Sequence, residues 1–178
     1  MMLNGHSFMN IIETERLTLR QLSTDDAEFI LDLLNQPSYI QFIGDRLVRT
    51  LDDARDYLSK KIIGNYERFG FGMYLTLLKD GEVPIGICGL VKRDTLEDVD
   101  VGFAFLPQYW SKGYAFESAS AVLAYARNTL GLNRILGITT PDNTGSIHVL
   151  EKIGLKFKKM VRLSQDDVEL KLFASSNG

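Results

Sequence analysis

The sequence predicts an α/β fold of the α+β kind, in which a mixed, mostly antiparallel central sheet of about seven strands carries helices on both faces. Strand-like and helix-like segments follow one another in the order β, α, α, then three strands, then α, β, α and two strands. The three middle strands are joined by short polar breaks, which favours antiparallel pairing. Helices on either side of such a run are accommodated most simply on the two faces of one sheet.

The composition indicates a single domain over residues 1–178. Of these residues 45% are hydrophobic and 24% charged, and no segment has the composition of a linker. The net charge of −3 comes from interspersed acids and bases without a basic block, so we expect no nucleic-acid partner.

Apolar segments and cysteine content indicate the compartment. No apolar run approaches the roughly 18 residues of a membrane span, and the first residues lack a signal-peptide pattern. Cys88 is the single cysteine and lies in an apolar run, which is typical of a small buried residue in a reducing compartment. His6 and His148 are the two histidines, so no metal site is expected. We therefore expect a cytoplasmic protein that does not bind membranes.

The opening segments predict one strand and two helices. Residues 11–22 form the strand, and Ser23, Thr24 or Asp25 caps a first helix that ends near Pro37. Its apolar residues recur at i, i+3, i+4 and i+7, namely Ala27, Ile30, Leu31 and Leu34. Thr50 and Asp53 have the spacing of a capping box for a second helix, which fades over residues 64–70.

The strongest hairpin signal lies in the middle of the chain. Residues 71–78 and 83–91 flank an Asp80-Gly81 turn, and Pro84 is expected at a strand start or edge. Residues 99–106 form the third strand of this group. A glycine-containing turn then leads into an alanine-rich helix, whose predicted buried stripe is Ala115, Ala119, Val122, Leu123 and Ala126.

The last third of the sequence predicts a strand, a helix and two further strands. Residues 134–140 form a strand, and Asn143 with its neighbours caps a helix that ends at Gly154. The predicted inward face of this helix consists of Ser146, Val149, Leu150 and Ile153. Residues 155–163 and 168–173 close the fold as a hairpin.

The turn at residues 111–115 predicts an anion site. The first N–H groups of a helix have no internal partner and lie at the positive end of the helix dipole, so a phosphate placed there accepts several hydrogen bonds. Gly113 permits the turn, and Lys112 adds a positive charge. The alternative is an ordinary loop with an exposed lysine. The P-loop and dinucleotide-binding patterns are absent, which disfavours a nucleoside triphosphatase or a Rossmann dehydrogenase.

Three separated motifs carry a family resemblance. They are Glu13-Thr14-Glu15-Arg16-Leu17-x-Leu19-Arg20, then Tyr109-Trp110-Ser111-Lys112-Gly113-Tyr114-Ala115-x-Glu117, and Asn143-x-x-Ser146-x-x-Val149-Leu150-Glu151-Lys152-x-Gly154. In this order they resemble the GNAT acyltransferase superfamily, and within it the branch of ribosomal-protein N-terminal alanine/serine acetyltransferases.

The resemblance implies acetyl-CoA as cosubstrate, without a metal. The loop amides of Ser111, Lys112, Gly113, Tyr114 and Ala115 are implied to bind the diphosphate. The strand that ends at Phe105 and Leu106 is implied to diverge from its neighbour and to pair with the pantetheine arm, with Asn143 and Ser146 on the other side.

Two residues depart from the usual pattern. Trp110 occupies the first loop position, where glutamine or arginine is usual, although tryptophan occurs in much of this branch. The tyrosine that many superfamily members use to protonate the leaving thiolate corresponds to Leu150, so that acid is missing.

The candidate catalytic residues follow from the chemistry of amine acylation. Ser146 lies one helical turn before Leu150 and is the candidate proton donor to the thiolate. Asp100 is the preferred general base because it lies on the strand implied to carry the thioester, with Glu117 and Asp98 as rivals. A backbone N–H within residues 103–105 is expected to meet the oxyanion. The alternatives are a small packing residue for Ser146 and solvated or ion-paired carboxylates for the acids.

We therefore expect an acetyl-CoA-dependent N-acetyltransferase that acts on a primary amine, either a protein N-terminus or a small amine, as a monomer or homodimer. One alternative is a noncatalytic acyl-CoA-binding regulatory module. Another is an acetyltransferase for an antibiotic or a polyamine.

Overall fold

A single eight-stranded sheet organises the computed structural model, which describes residues 9–176. The strands are β1 (Asn10–Glu13), β2 (Leu17–Gln21), β3 (Met73–Leu78), β4 (Val83–Val91), β5 (Asp100–Phe105), β6 (Leu136–Thr139), β7 (Lys156–Val161) and β8 (Leu170–Ala174). They lie in the order β1-β2-β3-β4-β5-β6-β8-β7. Every neighbouring pair is antiparallel except β5 and β6, which are parallel. The predicted fold class is confirmed, with eight strands in place of about seven.

Six α-helices accompany the sheet in the described part of the chain. They are α1 (Ala27–Leu34), α2 (Pro37–Phe42), α3 (Leu51–Tyr57), α4 (Gly64–Phe69), α5 (Tyr114–Asn128) and α6 (Thr144–Lys152). A π-helical segment, Leu58–Ile63, joins α3 to α4. None of these helices is long and apolar enough to cross a membrane.

The expected opening strand is in fact two strands, and this part of the prediction was wrong. A tight turn at Thr14 folds β2 back onto β1, because the Thr14 N–H donates to the carbonyl of Leu17 at 2.9 Å. The Thr14 hydroxyl in turn accepts a hydrogen bond from the Leu17 N–H at 3.0 Å. Local polar contacts therefore reverse the direction of the chain, although the alternation of apolar and polar residues continues through the turn.

The predicted capping box at Thr50 is present, and Ser23, one of the three expected caps of the first helical segment, forms a second one. The Ser23 side chain accepts from the Asp25 N–H and the Thr50 side chain from the Asp53 N–H. In return, Asp26 accepts from the Ser23 N–H and Asp53 from the Thr50 N–H. The second helical region does not fade at residue 64. It continues to Phe69 and ends at Gly70, whose left-handed φ of 78° suits a residue without a side chain.

Two hydrophobic cores lie on opposite faces of the sheet. One packs α5 and α6 against β2–β5 and contains Val122, Leu123 and Leu150. The other packs α1, α3 and the π-helical segment against the opposite face and contains Ile30, Leu58 and Ile87. Cys88 is fully buried in the first core, as expected, and burial raises the pKa of its thiol to about 12.

Candidate functional site

A gap between β5 and β6 is the central feature of the site. The two parallel strands pair at one position, Asp100 with Leu136, and share no further pairing toward their C-terminal ends. The carboxyl ends of parallel strands lie at the same edge of a sheet, and crevices there are common ligand sites. The loop after β5 and the start of α6 therefore lie at the open end of this gap.

Strand alternation turns unpaired backbone groups into the gap from both sides. On β5, the Leu106 N–H donates to the carbonyl of Ile85 at 2.9 Å, so alternate residues face β4, and Phe103 and Phe105 present their N–H groups to the gap. On β6, the Ser175 N–H donates to the carbonyl of Ile135 at 2.8 Å, and the same alternation turns Ile138 toward the gap. Buried backbone groups of this kind need a partner, which an extended ligand can supply.

The loop between β5 and α5 has the geometry of an anion site. After a short 3₁₀ turn, Pro107–Tyr109, Ser111 and Gly113 adopt left-handed φ values of 58° and 83°. Gly113 is the N-cap of the 15-residue helix α5. The N–H groups of residues 111–116 have no acceptor within the described part of the chain. Left-handed residues and a helix N-terminus together direct amides toward one point, which suits a diphosphate.

Arg16 and Glu117 attach this loop to the turn between β1 and β2. The Arg16 side chain donates to the carbonyl of Lys112 at 3.0 Å and to Glu117 at 2.9 Å, and it stacks on the Tyr114 ring at 4.4 Å. Glu117 also accepts from the Thr14 hydroxyl at 2.8 Å. Burial acts to raise the pKa of Glu117, but the hydrogen bonds from Thr14 and Arg16 outweigh it and lower the pKa.

This clamp was not predicted as a unit. Arg16 was noted as part of a family motif, without a site role, and its partners are about 100 residues away in sequence. A contact of that separation leaves no local signal. The fully bonded carboxylate supports a structural role for Glu117 at the loop, while its rival role as a base stays a prediction.

Trp110 holds the end of β5. Its indole N–H donates to the carbonyl of Phe105 at 2.9 Å, while 47% of the residue is exposed. The tryptophan that replaces the usual polar loop residue therefore satisfies the last strand carbonyl and leaves the Phe105 N–H facing the gap.

The N-terminus of α6 lies across the gap from this loop. The Asn143 side chain accepts a hydrogen bond from the Ser146 N–H at 3.2 Å, and Ser146 is half-buried. The Lys152 ammonium group lies 4.2 Å from the centre of the Phe116 ring, which brings α6 against the first turn of α5. The structure therefore brings the predicted cofactor residues of both helices to one end of the sheet.

Thr140 is a further residue of this region that the sequence did not indicate. It directly follows β6, and its hydroxyl oxygen is buried without a hydrogen-bond partner in the described structure. A buried hydroxyl without a partner is costly, and this one follows the strand that borders the gap, so it is available to a ligand that enters the gap. Its environment comes from packing, which explains why the sequence pattern did not reveal it.

Leu150 fills the position of the missing acid with a core side chain. It is 1% exposed and lies against Gly137, where an added Cβ would come within 2.6 Å of the Leu150 side chain. Close packing of α6 on β6 therefore occupies this position with hydrocarbon, and Ser146 is the hydroxyl one turn earlier on the same helix.

Asp100 lies at the closed end of the gap. It is 2% exposed and accepts a hydrogen bond from Arg93 at 3.0 Å. Burial raises the pKa of Asp100 to about 6, and the Arg93 charge opposes this increase. Its pKa suits a base near neutral pH, but its burial excludes direct contact with a substrate in this conformation, so the general-base role stays a prediction that requires a water relay. Its rival Asp98 is paired with Arg134 at 3.0 Å.

These residues fit acetyl-CoA. The gap offers strand-edge groups to an amide-bearing arm, the loop offers free amides to a diphosphate, and Thr140 has a hydroxyl without a partner. Within residues 9–176, no group of three or more His, Cys, Asp or Glu side chains is arranged to hold a metal ion. His6 lies outside the described residues.

Comparison with known proteins gives a consistent result. The family model described as "Acetyltransferase (GNAT) domain" matches residues 16–156. A protein named "Uncharacterized N-acetyltransferase YnaD", from Bacillus subtilis, is 30% identical over 154 residues, which cover 84% of this chain and 87% of that relative.

Solved structures share the fold. An acetyltransferase of the GNAT family from Bacillus anthracis superimposes with a TM-score of 0.75 at 26% identity, over 92% of this chain and 96% of that one. The ribosomal L7/L12 α-N-protein acetyltransferase RimL, solved in complex with coenzyme A, has a TM-score of 0.78 at 17% identity, over 93% and 97% of the two chains.

Proposed function

Because this chain belongs to the GNAT acetyltransferase family and is an N-acetyltransferase, we propose that it transfers the acetyl group of acetyl-CoA to the α-amino group of a protein N-terminus. A small primary amine is the alternative acceptor. The superfamily indicated by the sequence motifs is confirmed, and the fold neighbours include ribosomal-protein acetyltransferases. One observation carries the proposal: the β5–β6 gap opens beside a loop with unpaired amides, so both halves of acetyl-CoA have a matching surface.

The proposed binding residues divide along the cofactor. The amides of Ser111, Lys112, Gly113, Tyr114 and Ala115 bind the diphosphate. The Phe105 N–H, at the end of β5, is proposed to pair with the pantetheine arm, and Asn143 and Ser146 to contact that arm from α6. Leu106 was expected to share this role, but its N–H donates to Ile85 at 2.9 Å and its carbonyl accepts from Tyr109 at 3.0 Å. The thioester supplies the activated acetyl group, and the N–H of Phe103 or Phe105 is proposed to hold its carbonyl oxygen.

Ser146 is the proposed proton donor to the departing thiolate. It is the half-buried hydroxyl one turn before Leu150, and its backbone is held by Asn143 at the helix N-terminus. A free thiol has a pKa of about 8.5, so protonation assists departure without being essential. The contribution of Ser146 therefore belongs at the weak end of acid–base effects.

The amine reaches its neutral form without a strong base. An α-amino group has a pKa of about 8, so a sizeable fraction is neutral at slightly alkaline pH. Asp100, ionised above about pH 6, is proposed to receive the remaining proton through water. This route accommodates the burial of the carboxylate.

Thiol release from acetyl-CoA, measured with a panel of N-terminal peptides and small amines, tests the proposal. We expect transfer to peptide α-amino groups, verified by mass spectrometry. Ser146→Ala should lower kcat by roughly ten- to a hundredfold with nearly unchanged acetyl-CoA affinity.

Ser59→Ala is the matched control, because Ser59 is an exposed serine in a helical segment. This variant should leave kcat unchanged. Acetyl-CoA binding without transfer to any amine would contradict the proposed activity. If the Ser146→Ala variant keeps the parental kcat, the proposed role of Ser146 as proton donor is contradicted, while the proposed activity is not.

A further inference from the structure

Different helices cover the two faces of the sheet next to the gap. Helices α5 and α6 cover one face, and the cofactor loop leads directly into α5. Ala104 of β5 packs on the other face with the core of α1 and α3. An amine that attacks a thioester in the gap therefore approaches most directly from the α1 and α3 side.

An open cavity of about 220 Å³ lies on that side. We name it the Arg46 cavity, and it is lined by Arg46, Leu47, Val48, Asp53, Asp56, Tyr57, Lys60 and Lys61. Its two acids are already engaged within the protein. Asp53 accepts hydrogen bonds from the N–H groups of Arg49 and Thr50, and Asp56 pairs with Lys60 at 2.7 Å.

The cations Arg46 and Lys61 have no carboxylate partner within the described residues. The nearby Asp45 is paired with Arg49 at 2.6 Å and is not available to them. The charge that the cavity offers to a ligand is therefore positive, because its lining contains three basic and two acidic side chains and both acids are engaged.

Two tyrosines connect Arg46 with the closed end of the gap. Tyr39 contacts both Arg46 and Tyr57, and Arg93, the partner of Asp100, acts electrostatically on Tyr57. Burial raises the pKa of Tyr57 to about 12, so its phenol stays neutral and does not neutralise Arg46. Tyr57, which lines the cavity, is therefore within electrostatic range of the Arg93 charge that pairs with Asp100.

Exposed apolar side chains occur in the chain segment that leads into the cavity, and one of them, Leu47, lines it. Ile40, Ile43 and Leu47 are 38%, 42% and 75% exposed, in the segment that joins α1 to α3. Leu47 also has a left-handed φ of 57°, which is unusual for a leucine. A surface with apolar side chains beside an arginine that has no carboxylate partner suits a peptide better than a polyamine, which would bring further positive charge.

We propose that the Arg46 cavity binds a carboxylate of the acceptor, so that the preferred substrates are N-terminal segments with an aspartate or glutamate shortly after the acetylated residue. This inference rests on the proposed N-acetyltransferase activity and names its substrate class. Arginine is suited to the role because its planar guanidinium forms paired hydrogen bonds with a carboxylate.

Peptide amides with one variable position test the inference. We would compare Ala-Asp-Ala-Ala, Ala-Asn-Ala-Ala and Ala-Lys-Ala-Ala, repeat the series with the variable residue at the third and fourth positions, and include spermidine. We expect at least one aspartate peptide to exceed its asparagine counterpart by about tenfold or more in kcat/KM, with lysine peptides and spermidine the poorest.

Variants at position 46 connect this preference to the cavity. Arg46→Ala should reduce the aspartate-to-asparagine ratio to about one, and Arg46→Glu should reverse the order of the aspartate and lysine peptides. Arg55→Ala, which removes an exposed arginine already paired with Asp52, is the matched control and should retain the wild-type preference.

Calorimetry of the same peptides with the protein loaded with coenzyme A separates the proposed role of the Arg46 cavity from the proposed transferase activity. Arg46-dependent binding of acidic peptides without any transfer would support the cavity and overturn the proposed activity. Transfer that ignores peptide charge, or that prefers spermidine, would overturn the cavity assignment and leave the activity intact. Folding of each variant is checked by its thermal transition.

Discussion

Asp100 and Glu117 illustrate how the surroundings of a single carboxylate determine its ionisation. Both have burial as their largest influence, which acts to raise the pKa. Asp100 has one arginine partner, and its pKa remains raised, at about 6. Glu117 accepts hydrogen bonds from Thr14 and Arg16, and its pKa is lowered. Glu117 is therefore ionised over a wide pH range, whereas Asp100 changes charge close to neutrality.

The raised pKa of Asp100 predicts a pH-dependent stability. A carboxyl with a higher pKa in the folded state stabilises the fold fully below its unfolded pKa, near 3.8, and this contribution is lost as pH rises through about 6. Between pH 5 and pH 7.5 the loss is on the order of 1 kcal/mol, since one pKa unit corresponds to a free energy of about that size. Asp100→Asn should remove this pH dependence, measured as the free energy of unfolding in urea at both pH values.

The pH profile of kcat/KM separates the structural and the catalytic role of Asp100. If the variant loses the acidic limb near pH 6, the base role is supported. If the profile is unchanged and only the stability difference between the two pH values disappears, Asp100 is a structural partner of Arg93. Identical pH dependence of stability in the two proteins would contradict the burial argument.

At the scale of elements, the loop from β5 to α5 combines backbone strain with external support. Ser111 and Gly113 are in left-handed conformations, and only the glycine adopts one without a steric cost. Arg16 compensates by bonding the carbonyl of Lys112, and Glu117 holds Arg16 in place. The loop is thus held by β1–β2, an element at the far edge of the sheet order.

Two glycines at the ends of the same helix give a matched test of the anion site. Gly113→Val should weaken acetyl-CoA binding by at least tenfold, because the new side chain would be strained and its Cβ would lie 3.2 Å from the Arg16 guanidinium. Gly131→Val introduces similar strain after α5, at a left-handed φ of 70° with no neighbour within 4 Å. Calorimetry should therefore show wild-type affinity for Gly131→Val. Equal affinities in the two variants would contradict the assignment of the loop.

At the scale of the whole molecule, the β5–β6 gap divides a sheet that is otherwise continuous. Strands β1 to β5 pair along their length, as do β6, β8 and β7, and the two groups meet at Asp100 and Leu136. A ligand in the gap would complete the sheet by taking the hydrogen bonds that the strands do not make with each other.

Amide hydrogen exchange should report this completion. On addition of coenzyme A, the N–H groups of Phe103, Phe105 and Ile138 should exchange more slowly, because they face the gap. The N–H groups of Gly102 and Ala104 face β4 and should already be protected, so they serve as internal controls. Slowing that is equal at all five positions would indicate global stabilisation and contradict pairing in the gap; NMR with an assigned spectrum resolves the individual amides.

Much of the fold follows from local sequence. The capping boxes at Ser23 and Thr50, the Asp80-Gly81 hairpin and the start of α5 after Gly113 each depend on residues within a few positions of one another. Such signals act through nearby backbone groups, so the sequence alone reveals them. The break between β1 and β2 was missed because the apolar alternation continues through the turn at Thr14.

The cofactor loop and the family motifs could be recognised in the sequence, because a helix N-terminus beside a glycine is itself a local structure. Tertiary structure alone decided the remainder of the site. It set the clamp of Arg16 on Glu117, the hydroxyl of Thr140 without a partner, the burial of Asp100, and the lack of a carboxylate partner for Arg46 among the described residues. The physical reason is that burial and pairing depend on groups far apart in the chain. The type of a residue determines which charge it can carry. Only packing determines whether that charge is buried, neutralised or accessible to a ligand.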